Sequence, residues 1–125
     1  MHNIRTLLLV TLVVEALAGA ALLVAPAPST ALLLGVADTA PAPFVMQRLC
    51  GAALLSIALA CWIAYSEGGE RLGRPLIAGL LIYNVAVPAV LAYAAFAYSV
   101  SSLAIWPACA LHVGLAVWGV ACLRV

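Results

Sequence analysis

Three side chains stand where polar chemistry is expensive. Glu15 sits inside the first apolar stretch of the chain, Asn84 inside the third and His112 inside the fourth. A carboxyl and an imidazole that share a pocket can exchange protons, and a neighbouring carboxamide can polarise what is bound between them. An ionisable group at membrane depth is costly unless it is paired or hydrated. Such residues therefore point to a binding site, a proton path or an interhelical staple. With a rise of ~1.5 Å per residue, Asn84 and His112 fall near the midplane of their helices.

Their helical neighbours predict where these groups face. Residues three, four and seven apart share one face. Glu15 shares its stripe with Thr11, Ala18 and Gly19, and Arg48 leads a row through Ala52, Ser56 and Ala60. His112 lies among Ala108, Cys109, Ala116 and Gly119. Small residues mark the faces on which membrane helices meet, so Glu15, Arg48 and His112 are expected to turn into a bundle, with Thr11 and Ser56 beside them. Tyr83 adjoins Asn84 in the chain and is counted with the polar cluster, although it faces ~100° away on the helix. Pro88, four residues after Asn84, has no N–H to offer the Asn84 carbonyl, and a kink is expected there. Side chains lean toward a helix N-terminus, which tilts Glu15 and Arg48 toward opposite membrane faces. The expected pairing is Glu15 with His112 or Asn84, while Arg48 snorkels to the headgroups. As a plain staple, the same residues would fix helix register at about 1 kcal/mol per bond.

Other chemistry finds little footing. Cys50, Cys61, Cys109 and Cys122 include no C-x-x-C pair, and the expectation is small apolar packing. A bridge between the second and fourth long helices would form only near the outer face, away from a reducing cytoplasm. His112 is the one histidine within a span and His2 is terminal, so neither a metal site nor a bis-histidine haem is expected, and no cofactor is called for. No phosphate loop, nucleophile elbow or zinc spacing occurs.

The elements that must position these groups follow from composition. Of 125 residues 68% are hydrophobic and 7% charged, where a soluble domain has roughly half and a quarter. A soluble chain of this length has too little interior to hide so much apolar surface. The cations are five arginines with no basic cluster, which excludes nucleic acid as a partner. A cytosolic enzyme and a disordered tail are excluded with it. Alanine and leucine favour helix, and no segment alternates as a barrel strand does.

A helix needs about 20 apolar residues to cross the hydrocarbon. The uncharged run from Pro75 to Leu123 holds two crossings, broken at Tyr98-Ser99-Val100-Ser101-Ser102. The expected fold is all-α: one domain over 1–125, a polytopic antiparallel bundle of four transmembrane helices near 4–25, 44–66, 75–98 and 103–123. With four crossings, both termini and the 67–74 loop share a side holding Arg5, Arg71, Arg74 and Arg124. The positive-inside rule makes that side cytoplasmic. Trp62 and Tyr65 would mark the inner interface, and Trp106, Tyr98 and Tyr93 the outer one. The first 25 residues imitate a secretory signal, with Ala16-Leu17-Ala18 as a small-residue site, but Glu15 interrupts its apolar core and retention as a helix is expected.

The outer connection, 26–43, carries Pro26, Pro28, Pro41 and Pro43. Within it Ser29 or Thr30 would cap a short turn through Ala31-Leu32-Leu33-Leu34, ended by Gly35. It is expected to seal the bundle mouth, with a lid as the other possibility. Gly19-Ala20-Ala21-Leu22-Leu23 echoes Gly51-Ala52-Ala53-Leu54-Leu55, a match too cheap in an Ala/Leu-rich chain to imply a duplicated transporter.

Glu15-x3-Gly19 with Leu22-Leu23 and the following prolines, Arg48-x2-Gly51, Tyr83-Asn84 and Trp106-Pro107-Ala108-x3-His112 together resemble a family of small four-helix bacterial inner-membrane proteins, loosely similar to the DoxX-like group. The resemblance covers nearly the whole chain. It implies fold and location in the bacterial inner (cytoplasmic) membrane, and supplies no substrate or catalytic residue. A lone glutamate in the first of four helices also resembles the small multidrug-resistance transporters. The long first loop, the strong arginine bias and the lack of a glycine-rich hinge in the third helix depart from that pattern.

Three functions fit these residues. The leading one is a protein that binds a hydrophobic ligand (lipid, quinone or isoprenoid) or serves as accessory subunit of a membrane complex; it needs only an apolar cavity with a few polar contacts. The second is a proton-coupled small-molecule exporter using Glu15, expected to work as a homodimer. The third is a membrane enzyme with isomerase-like acid/base chemistry, in which Glu15 and His112 exchange protons and Asn84 polarises the substrate.

Overall fold

A computed structural model describes residues 2–36, 41–69 and 71–124. Residues 37–40 of the proline-rich connection and Glu70 of the 67–74 loop lie outside the described residues. Five helices form among those described: α1 (His2–Val24), α2 (Pro26–Leu34), α3 (Pro41–Ser66), α4 (Gly73–Ala97) and α5 (Ile105–Arg124). All but α2 are long and apolar enough to cross a membrane.

Prolines set the helix starts. Pro26 opens α2, Pro41 and Pro43 lie in the first turn of α3, and Pro75 lies in the first turn of α4. A helix leaves its first N–H groups unpaired, so proline costs nothing there and its fixed φ suits the helix. This corrects the expected start of the outer segment. Its helix begins at Pro26, five residues before Ala31, and its N-cap is Ala25 with no side-chain cap. Ser29 donates its hydroxyl back to the Ala25 carbonyl at 2.7 Å instead. Gly35 does end the helix, in the left-handed region at φ 69°. A side chain there would also strike the Ser101 carbonyl oxygen. Pro88 stands inside α4, and the helix continues through it.

The most extensive packing joins α1 to α3 and α4 to α5. The first pair meets backbone to backbone. A Cβ on Gly51 would lie 2.7 Å from the Gly19 carbonyl oxygen, and one on Gly19 would lie 2.8 Å from the Gly51 oxygen. The two echoing glycines are thus the two sides of one close crossing, of the kind small residues permit. Between α4 and α5, Gly119 admits Ile77 and Leu81.

Apolar cores lie on both sides of a polar layer. One gathers Leu7, Leu8, Cys61, Ile77, Leu115 and Cys122. The other, Leu91, Ile105 and Cys109, is covered by Leu33 and Leu34 of α2. Ser102 holds α2 in place: its hydroxyl donates to the Leu33 carbonyl and accepts from the N–H of Ile105 at the start of α5. Cys61, Cys109 and Cys122 are buried without bridges, and Cys50 is exposed.

Aromatic side chains gather at each end. At one, Trp62 stacks on Tyr65 at 6.2 Å, and the Arg5 guanidinium lies 4.9 Å from the Tyr65 ring centre. At the other, Tyr93 meets Tyr98 edge-on at 5.5 Å, and Phe96 meets Trp106 at 5.8 Å. Trp62, Tyr93, Tyr98 and Trp106 are all exposed.

Candidate functional site

The polar layer is built from α1, α4 and α5. Thr11 and Glu15 are one helical turn apart on the inner face of α1, and each is 1% exposed. Asn84 on α4 and His112 on α5 are 4% and 8% exposed. Four polar residues so deeply enclosed in an apolar chain must find partners within it.

Asn84 and His112 find each other. Oδ1 of Asn84 lies 2.8 Å from Nδ1 of His112. A carbonyl oxygen only accepts, so the imidazole donates from Nδ1, and that hydrogen bond selects the ring tautomer and fixes the ring plane.

Glu15 is paired with neither of its expected partners. Its Oε2 accepts from the hydroxyl of Tyr83 at 3.2 Å. Tyr83 and Asn84 are neighbours ~100° apart on α4, and that angle divides their work. Asn84 reaches α5, while Tyr83, with a longer reach and a polar tip, crosses to α1. The Tyr83 and His112 rings then meet edge to face, 5.3 Å apart and 87° inclined. Tyr83 thus stands between Glu15 and His112, which share no hydrogen bond among the described residues.

Two features of the layer are unspent. Oε1 of Glu15 is buried and has no hydrogen-bond partner. Beside the layer, Thr11 and Asn84 border a void with Leu7, Leu80, Leu115 and Gly119. Its volume of about 10 Å³ is the room of one water molecule.

Arg48 and Ser56 are not part of the site. Both are exposed, as is Ala52 in the same row. The inner face of α3 is instead the row of Gly51, Ala58, Cys61 and Ala64. Alanine is so frequent that more than one face of α3 is small, and the close approach of Gly51 to Gly19 selects which one turns inward. Ala18 of the Glu15 stripe is likewise exposed. Arg48 uses its Nε–H on the carbonyl of Leu23 at 3.2 Å, satisfying one of the orphan acceptors at the end of α1. Ser56 donates to the Ala52 carbonyl of its own helix.

Among the described residues, no group of three or more His, Cys, Asp or Glu side chains is arranged to hold a metal ion. Comparison with protein families, with curated proteins and with solved structures finds no match for this chain.

Proposed function

We propose that this chain is an integral protein of the bacterial inner membrane that holds a hydrophobic partner on its outer surface, a lipid or the helices of a larger membrane complex, as an accessory subunit does. In this reading α1, α3, α4 and α5 cross as an antiparallel bundle with both termini and the 67–74 loop in the cytoplasm. Arg5, Arg71, Arg74 and Arg124 belong to that side and Arg48 to the other, an asymmetry that favours this orientation. The exposed aromatics at the two ends suit two membrane interfaces.

One observation carries the choice of an outer surface over an inner pocket. The void beside the polar layer is about 10 Å³, whereas pockets for small organic molecules take roughly 300–1,000 Å³. The polar layer it adjoins joins helices, Tyr83 to Glu15 and His112 to Asn84, and leaves Oε1 of Glu15 without a partner in the layer. Native mass spectrometry of protein extracted in mild detergent, with lipid analysis of what accompanies it, tests the proposal. Retained phospholipid or a retained partner subunit is the expected result. A stoichiometric quinone or isoprenoid, or a bare chain, would overturn it.

A second reading is proton-coupled export through Glu15. The buried, unpartnered Oε1 favours it, because a carboxyl oxygen left without a donor is free to take a proton or a cationic solute. Glu15→Gln keeps the shape of the side chain and should abolish proton-coupled flux in proteoliposomes. Unchanged flux in that variant would eliminate export.

A further inference from the structure

The surface of α5 carries a groove of about 330 Å³, lined by Ala116, Val117, Val120 and Ala121 with Arg124 at its foot. Small and branched alkyl side chains make its walls apolar along nearly two turns. Arg74 reaches the end of α5 from α4: its Nη2 donates to the carbonyl of Leu123 at 2.6 Å, one residue before Arg124. Of the two exposed guanidinium groups at this end of α5, Arg124 lines the trough and Arg74 is bound one residue away, at Leu123. A guanidinium is a planar fork of five donors that matches phosphate, and Arg74 has spent only its Nη2 on the carbonyl. Arg5 and Arg71 add to the positive field of this end, against Glu67 among the described acids.

We propose that this groove binds an anionic phospholipid, with one acyl chain along Ala116, Val117, Val120 and Ala121 and the phosphodiester on Arg124 and Arg74. The charge pattern selects this occupant. A neighbouring helix would leave two arginines facing apolar side chains, whereas a lipid brings chain and phosphate in the required order. Basic residues beside membrane helices attract anionic headgroups at about 1 kcal/mol each. The proposal names the lipid class within the surface-binding role above and rests on that reading.

The test is native mass spectrometry of the whole chain in mild detergent, titrated with phosphatidylglycerol or with phosphatidylethanolamine of the same acyl chains. Wild type should retain the glycerol lipid preferentially. Arg124→Gln, which leaves the Arg74–Leu123 bond in place, should lower that preference about fivefold, and Arg74→Gln in addition should remove most of the rest. Retention of the ethanolamine lipid should not change. Ala121→Phe should fill the trough and lower retention of both lipids. Equal retention of the two lipids by wild type would overturn the site. So would a loss in Arg71→Gln as large as that in Arg124→Gln, since the attraction would then belong to the whole positive end. Either of these outcomes leaves the surface-binding role standing. A wild-type chain that retains no lipid and no partner overturns both.

Discussion

The Tyr83 hydroxyl donates to the Glu15 carboxyl at 3.2 Å across the seam between the α1/α3 pair and the α4/α5 pair. Each pair is held internally by close backbone or small-residue packing, at Gly19–Gly51 and at Gly119. The seam is instead bridged by long side chains, and this bond is a polar tie across it.

Removing one side of that tie should cost more than removing both. Tyr83→Phe leaves Glu15 Oε2 without its donor, and a buried acceptor stranded in this way costs about 1–3 kcal/mol. Glu15→Leu in the same background removes the stranded group and should recover most of the loss. Unfolding measured in bicelles for the two single variants and the double variant gives the coupling directly.

The Asn84–His112 contact predicts a ring tautomer. With Oδ1 of Asn84 facing Nδ1 of His112, the neutral imidazole carries its proton on Nδ1. Nitrogen-15 spectra of ring-labelled protein should show Nδ1 protonated. Asn84→Leu should release that preference and cost about 1 kcal/mol of stability.

The glycines divide into two classes by what surrounds them. A methyl group on Gly19 or Gly51 meets a carbonyl oxygen at under 3 Å, so Gly19→Ala and Gly51→Ala should force α1 and α3 apart, at about 1–3 kcal/mol. A methyl group on Gly79 or Gly114 meets nothing within 4 Å. Gly79→Ala and Gly114→Ala should be neutral or stabilising by up to about 1 kcal/mol, the helix preference of alanine. Thermal unfolding in detergent of the four variants checks the division.

The cover formed by α2 should depend on Ser102. Ser102→Ala loses the bond to the Leu33 carbonyl and the cap on the Ile105 N–H together, and a lost cap alone costs about 0.5–2 kcal/mol. Hydrogen exchange should accelerate in α2 and the first turn of α5 while α1 and α3 keep their protection. Gly35→Ala should give the same pattern, since Gly35 holds φ 69° against the Ser101 carbonyl.

The four long helices were legible from the length of the apolar runs, each long and apolar enough for a helix that could cross a membrane. Helix α2 was legible only at its end. The turn through 31–34 and its stop at Gly35 were expected, but its start at Pro26 was not, because proline is as good a helix opener as it is a poor helix interior and only the fold decides which role it takes. The inward turn of Glu15 and His112 followed from the small residues on their faces, but their bonding, and that of Asn84, did not. Helical angles alone turn Tyr83 away from the site; its length brings its hydroxyl back. Arg48 misled for the opposite reason. Its row of small residues looked like a packing face, while the inward face of α3 was chosen by Gly51, whose echo of Gly19 had seemed an accident of composition.

The contact between Gly19 and Gly51 gives the molecule a grain. At this crossing main chain faces main chain with the Leu22 and Leu55 side chains beside it, so few rotamer changes are available to cushion α1 against α3. The seam toward α4 and α5 is closed by side chains instead, and deep within it a phenol donates to the carboxyl that faces it.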